Sequence, residues 1–264
     1  MTSILDTLAA SSCARVASQK MTLPLDALKR AVSSVVSPLG DFAFEKALMK
    51  PDVSFICECK KASPSKGIIA ADFPYLKIAK DYELAGADCI SVLTEPTRFL
   101  GSDQYLAEIA KASAIPCLRK DFTVDEYMIY QAKLLGASAV LLICAILDDK
   151  QLEHFLRLSD ELGLSALVET RNEHDIKTAL KLGARMIGVN NRNLRDFSVD
   201  MDVSLKLRDL VGTKALFVAE SGIKSPDDVE KCRRIGVDAV LVGEALMRAD
   251  DKRQALRNLR GLAR

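Results

Sequence analysis

The chain has 264 residues, of which 49% are hydrophobic and 28% charged, enough apolar material to bury a large core beneath an ordinarily solvated surface. Its 37 basic and 36 acidic side chains leave a formal net charge of +1, which argues against a nucleic acid or a membrane surface held by bulk electrostatics. Residues 1–20 lack an apolar segment with basic flanks, and no apolar stretch reaches the roughly 18 residues of a spanning helix, so neither a secretory signal nor a membrane anchor is expected and the chain is assigned to the cytoplasm.

In chain order, residues 4–20 and 25–36 read as helices, with Pro24 at a helix start. Residues 1–50 are too few for a second domain, so they are expected to form a helical extension packed on whatever follows, within one domain spanning 1–264. Beyond them, eight short apolar runs rich in β-branched residues occur at 53–59, 89–93, 115–119, 139–144, 165–168, 186–189, 215–219 and 239–242. Amphipathic segments such as 75–85, 124–135 and 151–162 lie between them, with apolar residues three and four apart. Strict alternation of strand and helix predicts a parallel sheet, and eight units predict closure into a (β/α)8 TIM barrel of the α/β class. A repeat supports closure. Gly86-Ala87-Asp88, Gly136-Ala137-Ser138, Gly183-Ala184-Arg185 and Gly236-Val237-Asp238 each end a helix and open a strand, at intervals of about fifty residues, two βα units. A doubly wound open sheet would not require this evenness.

Chemistry in such a barrel collects at the carboxyl ends of the strands, and ionisable residues stand there. The first run ends in Glu58-Cys59-Lys60, the third in Arg119-Lys120-Asp121-Phe122, the fifth in Glu169, the sixth in Asn190-Asn191-Arg192 and the seventh in Glu220-Ser221-Gly222. Any one of these is ordinarily a solvated rim residue, and Asn190 by itself reads as a turn residue. Together they gather more charge in one barrel than burial tolerates without a ligand. Ser221-Gly222 after the seventh run and Gly243-Glu244 after the eighth sit where barrels frequently bind phosphate, since glycine lets backbone N–H groups approach it. Ser63-Pro64-Ser65-Lys66-Gly67 adds a polar loop over the same mouth.

The two histidines, His154 and His174, fall in helical segments and are expected at the surface, so acid–base work falls to lysine and glutamate. No metal-ligand motif or nucleotide-binding glycine loop is found, and neither metal nor other cofactor is expected. The seven cysteines lack zinc-ribbon and redox spacing and read mostly as buried free thiols.

The segment Glu58-Cys59-Lys60-Lys61-Ala62-Ser63-Pro64-Ser65-Lys66-Gly67 resembles the first-strand signature of the indole-3-glycerol phosphate synthase family, enzymes of tryptophan biosynthesis. Phe99-Leu100-Gly101-Ser102, Arg119-Lys120-Asp121-Phe122, Leu167-Val168-Glu169, Asn190-Asn191-Arg192-Asn193-Leu194, Ala219-Glu220-Ser221-Gly222 and Val242-Gly243-Glu244-Ala245-Leu246-Met247 match its later motifs in order. The resemblance runs over essentially the whole chain and leaves no room for the fused isomerase domain that some members carry.

It implies a cofactor-free carboxy-lyase. Its substrate would be 1-(2-carboxyphenylamino)-1-deoxyribulose 5-phosphate, closing to indole-3-glycerol phosphate with loss of CO2 and water. Lys120 would be the general acid, its pKa lowered by neighbouring cations and desolvation. Glu169 and Lys60 would serve the dehydration, Glu58 and Asn190 would orient them, and Ser221 matches a further site position. For binding, Phe99 and Phe122 would sandwich the anthranilate ring beside Leu241, and Lys60 and Arg192 would meet its carboxylate. Ser63, Gly222, Gly243 and the backbone beside Glu244 would take the phosphate, with Leu194 and Glu220 also at the site. The resemblance suggests transient contact with other tryptophan-pathway enzymes as the one protein association. The rival readings are another phosphate-binding barrel, such as phosphoribosylanthranilate isomerase, and a catalytically silent ligand-binding barrel.

Overall fold

A computed structural model describes residues 3–193 and 196–262. Eight parallel strands close into a barrel: β1 (Ser54–Cys59), β2 (Cys89–Leu93), β3 (Cys117–Lys120), β4 (Ala139–Ile143), β5 (Ser165–Thr170), β6 (Met186–Asn190), β7 (Leu216–Glu220) and β8 (Ala239–Val242). Each pairs with the next and β8 pairs with β1. Three helices precede β1, namely α1 (Ile4–Thr22), α2 (Leu25–Val32) and α3 (Ala43–Leu48). The strands are joined through α4 (Tyr75–Leu84), α5 (Asp103–Ala112), α6 (Glu126–Leu134), α7 (Asp149–Glu161), α8 (Glu173–Lys181), α9 (Asp202–Val211) and α10 (Pro226–Arg234), and α11 (Glu244–Arg248) and α12 (Lys252–Leu259) follow β8. Among the described residues no helix is long and apolar enough to cross a membrane.

Period-two alternation along the strands sorts their side chains into two separate apolar clusters. Cys57, Val92, Val140, Val168, Ile187, Phe217 and Val240 face outward and pack with helix residues such as Tyr82, Ile109, Ile129 and Ile176. Ile56, Cys89, Leu118, Leu141, Leu167, Met186, Val218 and Leu241 fill the interior. The glycines of the four repeats, Gly86, Gly136, Gly183 and Gly236, all adopt positive φ, between 69° and 92°, where a side chain would be strained.

The expected strands are all present, but several run further than the apolar pattern suggests. Lys120, Glu169, Asn190 and Glu220 are the last or near-last residues of β3, β5, β6 and β7 rather than residues of the following loops. Their backbones remain in the ladder, with Lys120 opposite Leu93 and Glu220 opposite Asn190 and Leu241. Apolarity ends before the strand does because the interior positions at the carboxyl end line a cavity and need not be apolar.

The amino-terminal extension contacts both ends of the barrel. Residues 33–36, expected to be helical, lie beyond the end of α2, and α3 was not expected at all, being too short to show a helical period. It closes the amino end. The Cys89 thiol donates to the carbonyl of Phe44, the Ser54 hydroxyl to that of Leu48, and Glu45 N–H donates to Ser165 Oγ, so three strand starts are tied to one short helix. At the opposite end, Arg15 of α1 donates to both oxygens of Asp121 at 2.8 Å and to the carbonyl of Thr94 at 3.3 Å.

Phe44 is fully buried under the interior cluster, so removing its ring leaves a cavity that the closed sheet cannot collapse to fill. F44A is expected to lose about 3–5 kcal/mol of stability, read by urea unfolding. A loss below about 1 kcal/mol would mean that α3 does not plug the barrel.

Candidate active site

At the carboxyl end the strands surround a cavity of about 750 Å³. Interior positions of five strands carry its polar floor. β1 contributes Glu58, and Lys60 two residues on points the same way; β3 contributes Lys120, β5 Glu169, β6 Asn190 and β7 Glu220. Arg119 and Asp121, which alternate with Lys120, have their charged groups elsewhere. The Arg119 guanidinium, 1% exposed, donates to Thr94 Oγ1, the Met128 carbonyl and Asp103. The Asp121 carboxylate accepts from Arg15, Thr94 Oγ1 and Phe122 N–H. The sequence shows five charged strand ends; the fold turns Arg119 and Asp121 into struts for the charges that face the cavity.

Lys120 Nζ stands 2.5 Å from Glu220 Oε2 and 3.5 Å from Glu169 Oε2. The expectation that neighbouring cations lower its pKa is wrong for this arrangement. Burial does favour the neutral amine, but the attraction of Glu220, Glu169 and Glu58 and the hydrogen bond to Glu220 outweigh it, so Lys120 is held well above the ordinary lysine value. Glu220 moves the other way from a usual carboxylate. Burial raises it, Lys120 offsets part of that rise and Glu169 adds to it, leaving it at about 7. Its second oxygen, Oε1, is buried with no hydrogen-bond partner among the described residues and lies over bare Gly188, where a Cβ would come within 2.2 Å. Across the cavity Lys60 Nζ donates to Glu58 Oε1 at 2.5 Å. Gly243 is needed beside that pair, because a Cβ there would stand 2.3 Å from Glu58 Oε1 and 2.8 Å from Lys60 Nζ.

The apolar wall is made by Phe99, Phe122, Leu241, Leu141 and Ile143. The ring centroids of Phe99 and Phe122 are 6.2 Å apart with planes inclined by 43°. A third ring between two parallel ones needs about 7 Å at ordinary carbon contact distances, so the expected sandwich is corrected to a corner of two touching rings.

On the glycine-loop side, Ser221 has a φ of 66° and Gly222 one of 92°. Asn191 holds this turn: its amide donates to the Ser221 carbonyl and its oxygen accepts from the backbone and hydroxyl of Ser204 on α9. Glu244 lies 3.8 Å from Lys66, 3.7 Å from Arg192 and 3.1 Å from Arg248, cations from three different loops and helices. Arg192, assigned from sequence to the carboxylate end, thus stands on the glycine-loop side in this structure. Lys66 belongs to the polar loop expected over the mouth, but Arg248 carries no local signal, and only its folding onto the same carboxylate reveals it. Ser63 lies in a small hairpin, Ala62–Ser63 with Gly67–Ile68, over the mouth. All the residues given a catalytic or binding role from sequence line the cavity except Leu194, which lies outside the described residues. His154 is half-buried on α7 and His174 exposed on α8, both away from the cavity lining. Among the described residues no group of three His, Cys, Asp or Glu side chains is placed to hold a metal ion.

Fold and cavity define a (β/α)8 barrel with a lysine–glutamate cluster at its carboxyl mouth. Solved structures share that fold: 3-hexulose-6-phosphate synthase from Salmonella typhimurium superposes with a TM-score of 0.66 at 17% identity, covering 80% of this chain and 98% of that one. Thiamine phosphate pyrophosphorylase from Pyrococcus furiosus gives 0.58 at 19% identity over 80% and 94% of the two chains. Sequence comparison is narrower. The family model for indole-3-glycerol phosphate synthase matches residues 5–259, and the chain belongs to that family. Curated indole-3-glycerol phosphate synthases are 53% identical in Ruminiclostridium cellulolyticum, over 98% of this chain and 100% of the relative, and 51% identical in Leuconostoc mesenteroides, over 98% and 99%.

The raised Glu220 predicts a pH effect on stability. A carboxyl that titrates at about 7 in the fold and at 4.5 when unfolded binds its proton more tightly folded, so its contribution is present below 4.5 and is lost as pH rises to about 7. The stability of E220Q relative to the wild type should therefore rise over that interval, as followed by thermal unfolding; a pH-independent difference would show that Glu220 titrates normally.

Proposed function

We propose that this chain cyclises 1-(2-carboxyphenylamino)-1-deoxyribulose 5-phosphate to indole-3-glycerol phosphate, releasing CO2 and H2O, as a carboxy-lyase of tryptophan biosynthesis. The observation that carries the reading is Lys120 between Glu220 and Glu169, facing the Glu58–Lys60 pair in one cavity rimmed by glycine loops.

Ring closure needs the aromatic carbon that bears the carboxylate held against the ketone, and the corner of Phe99 and Phe122 with Leu241 offers a surface for that ring. As the carbon–carbon bond forms, the ketone oxygen gathers negative charge. An alkoxide is far more basic than any amine, so Lys120 gives up its proton to it even though the carboxylates hold that proton firmly. Loss of CO2 then restores the aromatic ring. Dehydration needs a base and an acid: Glu169 takes the proton, Lys60 protonates the departing hydroxyl, and Glu58 and Asn190 orient them. Glu220, hydrogen-bonded to Lys120 and half protonated near neutral pH, can return a proton to it for the next turnover. Ser63, Ser221, Gly222, Gly243 and the backbone at Glu244 bind the phosphate, with Lys66, Arg192 and Arg248 compensating its charge.

The protein contains no tryptophan, so growth of indole fluorescence on adding the substrate reports turnover without background. K120A is expected to lower kcat by at least about a hundredfold with the fold intact by circular dichroism; wild-type turnover in K120A would remove Lys120 from the acid role. E58Q and E169Q should differ, the former mainly through Lys60 and the latter directly in dehydration, with accumulation of a decarboxylated, hydrated intermediate detectable by mass spectrometry only in E169Q. Identical defects without that intermediate would contradict this division.

A further inference from the structure

Glu95 follows β2 by two residues, and only 1% of its surface is exposed. It is absent from the cavity lining, so the reaction as described does not use it. A carboxylate withdrawn from water is tolerated when its lone pairs are occupied. One short segment occupies them all. Oε1 accepts from Thr97 N–H at 2.8 Å and the Thr97 hydroxyl at 2.5 Å, and Oε2 from Arg98 N–H at 2.8 Å and Phe99 N–H at 2.9 Å. The Glu95 carbonyl accepts from Gly101 N–H at 2.8 Å, so residues 95–101 are wound around one side chain. The winding is tight. Leu100 has a φ of 52°, and a Cβ on Gly101 would stand 2.3 Å from the Leu93 carbonyl oxygen. The winding places Phe99, whose ring enters the cavity against Phe122 and whose carbonyl accepts from Ala62 N–H at 3.2 Å at the root of the hairpin over the mouth.

We propose that Glu95 is a positioning residue that sets specificity for the aromatic end of the substrate: its carboxylate, through three N–H groups and one hydroxyl, holds the loop that presents Phe99. This rests on the activity proposed above. An isosteric amide cannot replace the carboxylate, because three of the four partners are N–H groups that can only donate. Glutamine offers one acceptor oxygen and turns an NH2 group toward the other two N–H donors. The loop then opens at the ring wall, while the glycine loops across the cavity are untouched.

The test compares wild type, E95Q and E95D by indole fluorescence, with inorganic phosphate as a competitive inhibitor that reads the opposite end of the cavity. E95Q is expected to raise KM at least about tenfold, change kcat by less than about threefold and leave the phosphate inhibition constant unaltered, the signature of lost ground-state binding at one end. E95D, which keeps both acceptor oxygens, should recover at least about threefold of that loss. An unchanged KM in E95Q, or phosphate binding weakened in parallel, overturns the proposal. Should E95Q fail to fold, T97V at an exposed position carries the test: a KM raised about twofold or more with phosphate inhibition constant supports it, and an unchanged KM overturns it. Absence of wild-type turnover would remove the assigned activity and this inference together, whereas wild-type turnover with normal E95Q kinetics would remove the inference alone.

Discussion

Lys120 is an ammonium held beneath three carboxylates, and the mouth of the barrel is arranged around that constraint. Ions withdrawn from water need partners, and leaving one unpaired costs about 3–5 kcal/mol. Glu220 and Glu169 therefore cannot be placed without Lys120, nor Lys120 without them. Burial, reinforced by the surplus of carboxylates over the two lysines, pushes Glu220 toward its protonated form although Lys120 offsets part of the rise. The same surplus that costs stability leaves a proton beside the residue that must deliver one.

Around that cluster the barrel works by alternation. Inward positions at the carboxyl ends carry the reacting groups, and the outward neighbours carry the supports. Arg119 and Asp121 flank Lys120 in sequence but bind Thr94, Asp103, Met128 and Arg15. They tie β2, β3, α5, α6 and α1 together behind the lysine, so a shift of any of these elements moves it. Asn191 does the same behind Ser221 and Gly222, and Glu95 behind Phe99. Lys120, the Ser221–Gly222 turn and Phe99 are thus each backed by buried polar groups held in hydrogen-bond networks, which hold geometry better than side-chain pairs at the surface.

The amino-terminal helices are part of this arrangement at both ends. At the bottom, α3 offers Phe44 and Leu48 to the interior and its backbone to three strand starts. At the top, Arg15 reaches the aspartate next to Lys120. A sequence pattern can show that such helices are amphipathic, but it cannot show which end of a barrel they meet.

The sequence by itself determined the eight strands, the closing repeat and the candidate polar residues, because short continuous apolar runs and left-handed glycine caps are local properties of the chain. It also carried the family motifs that name Glu58, Lys60, Lys120 and Glu169. Only the tertiary structure decided which charges face one another. The sign of the Lys120 shift depends on carboxylates from β1, β5 and β7, up to 100 residues away, and the corner formed by Phe99 and Phe122 depends on two loops meeting across β2 and β3. Electrostatics and ring packing act through space over a few ångströms, and distances between remote segments are written in no local pattern of residues.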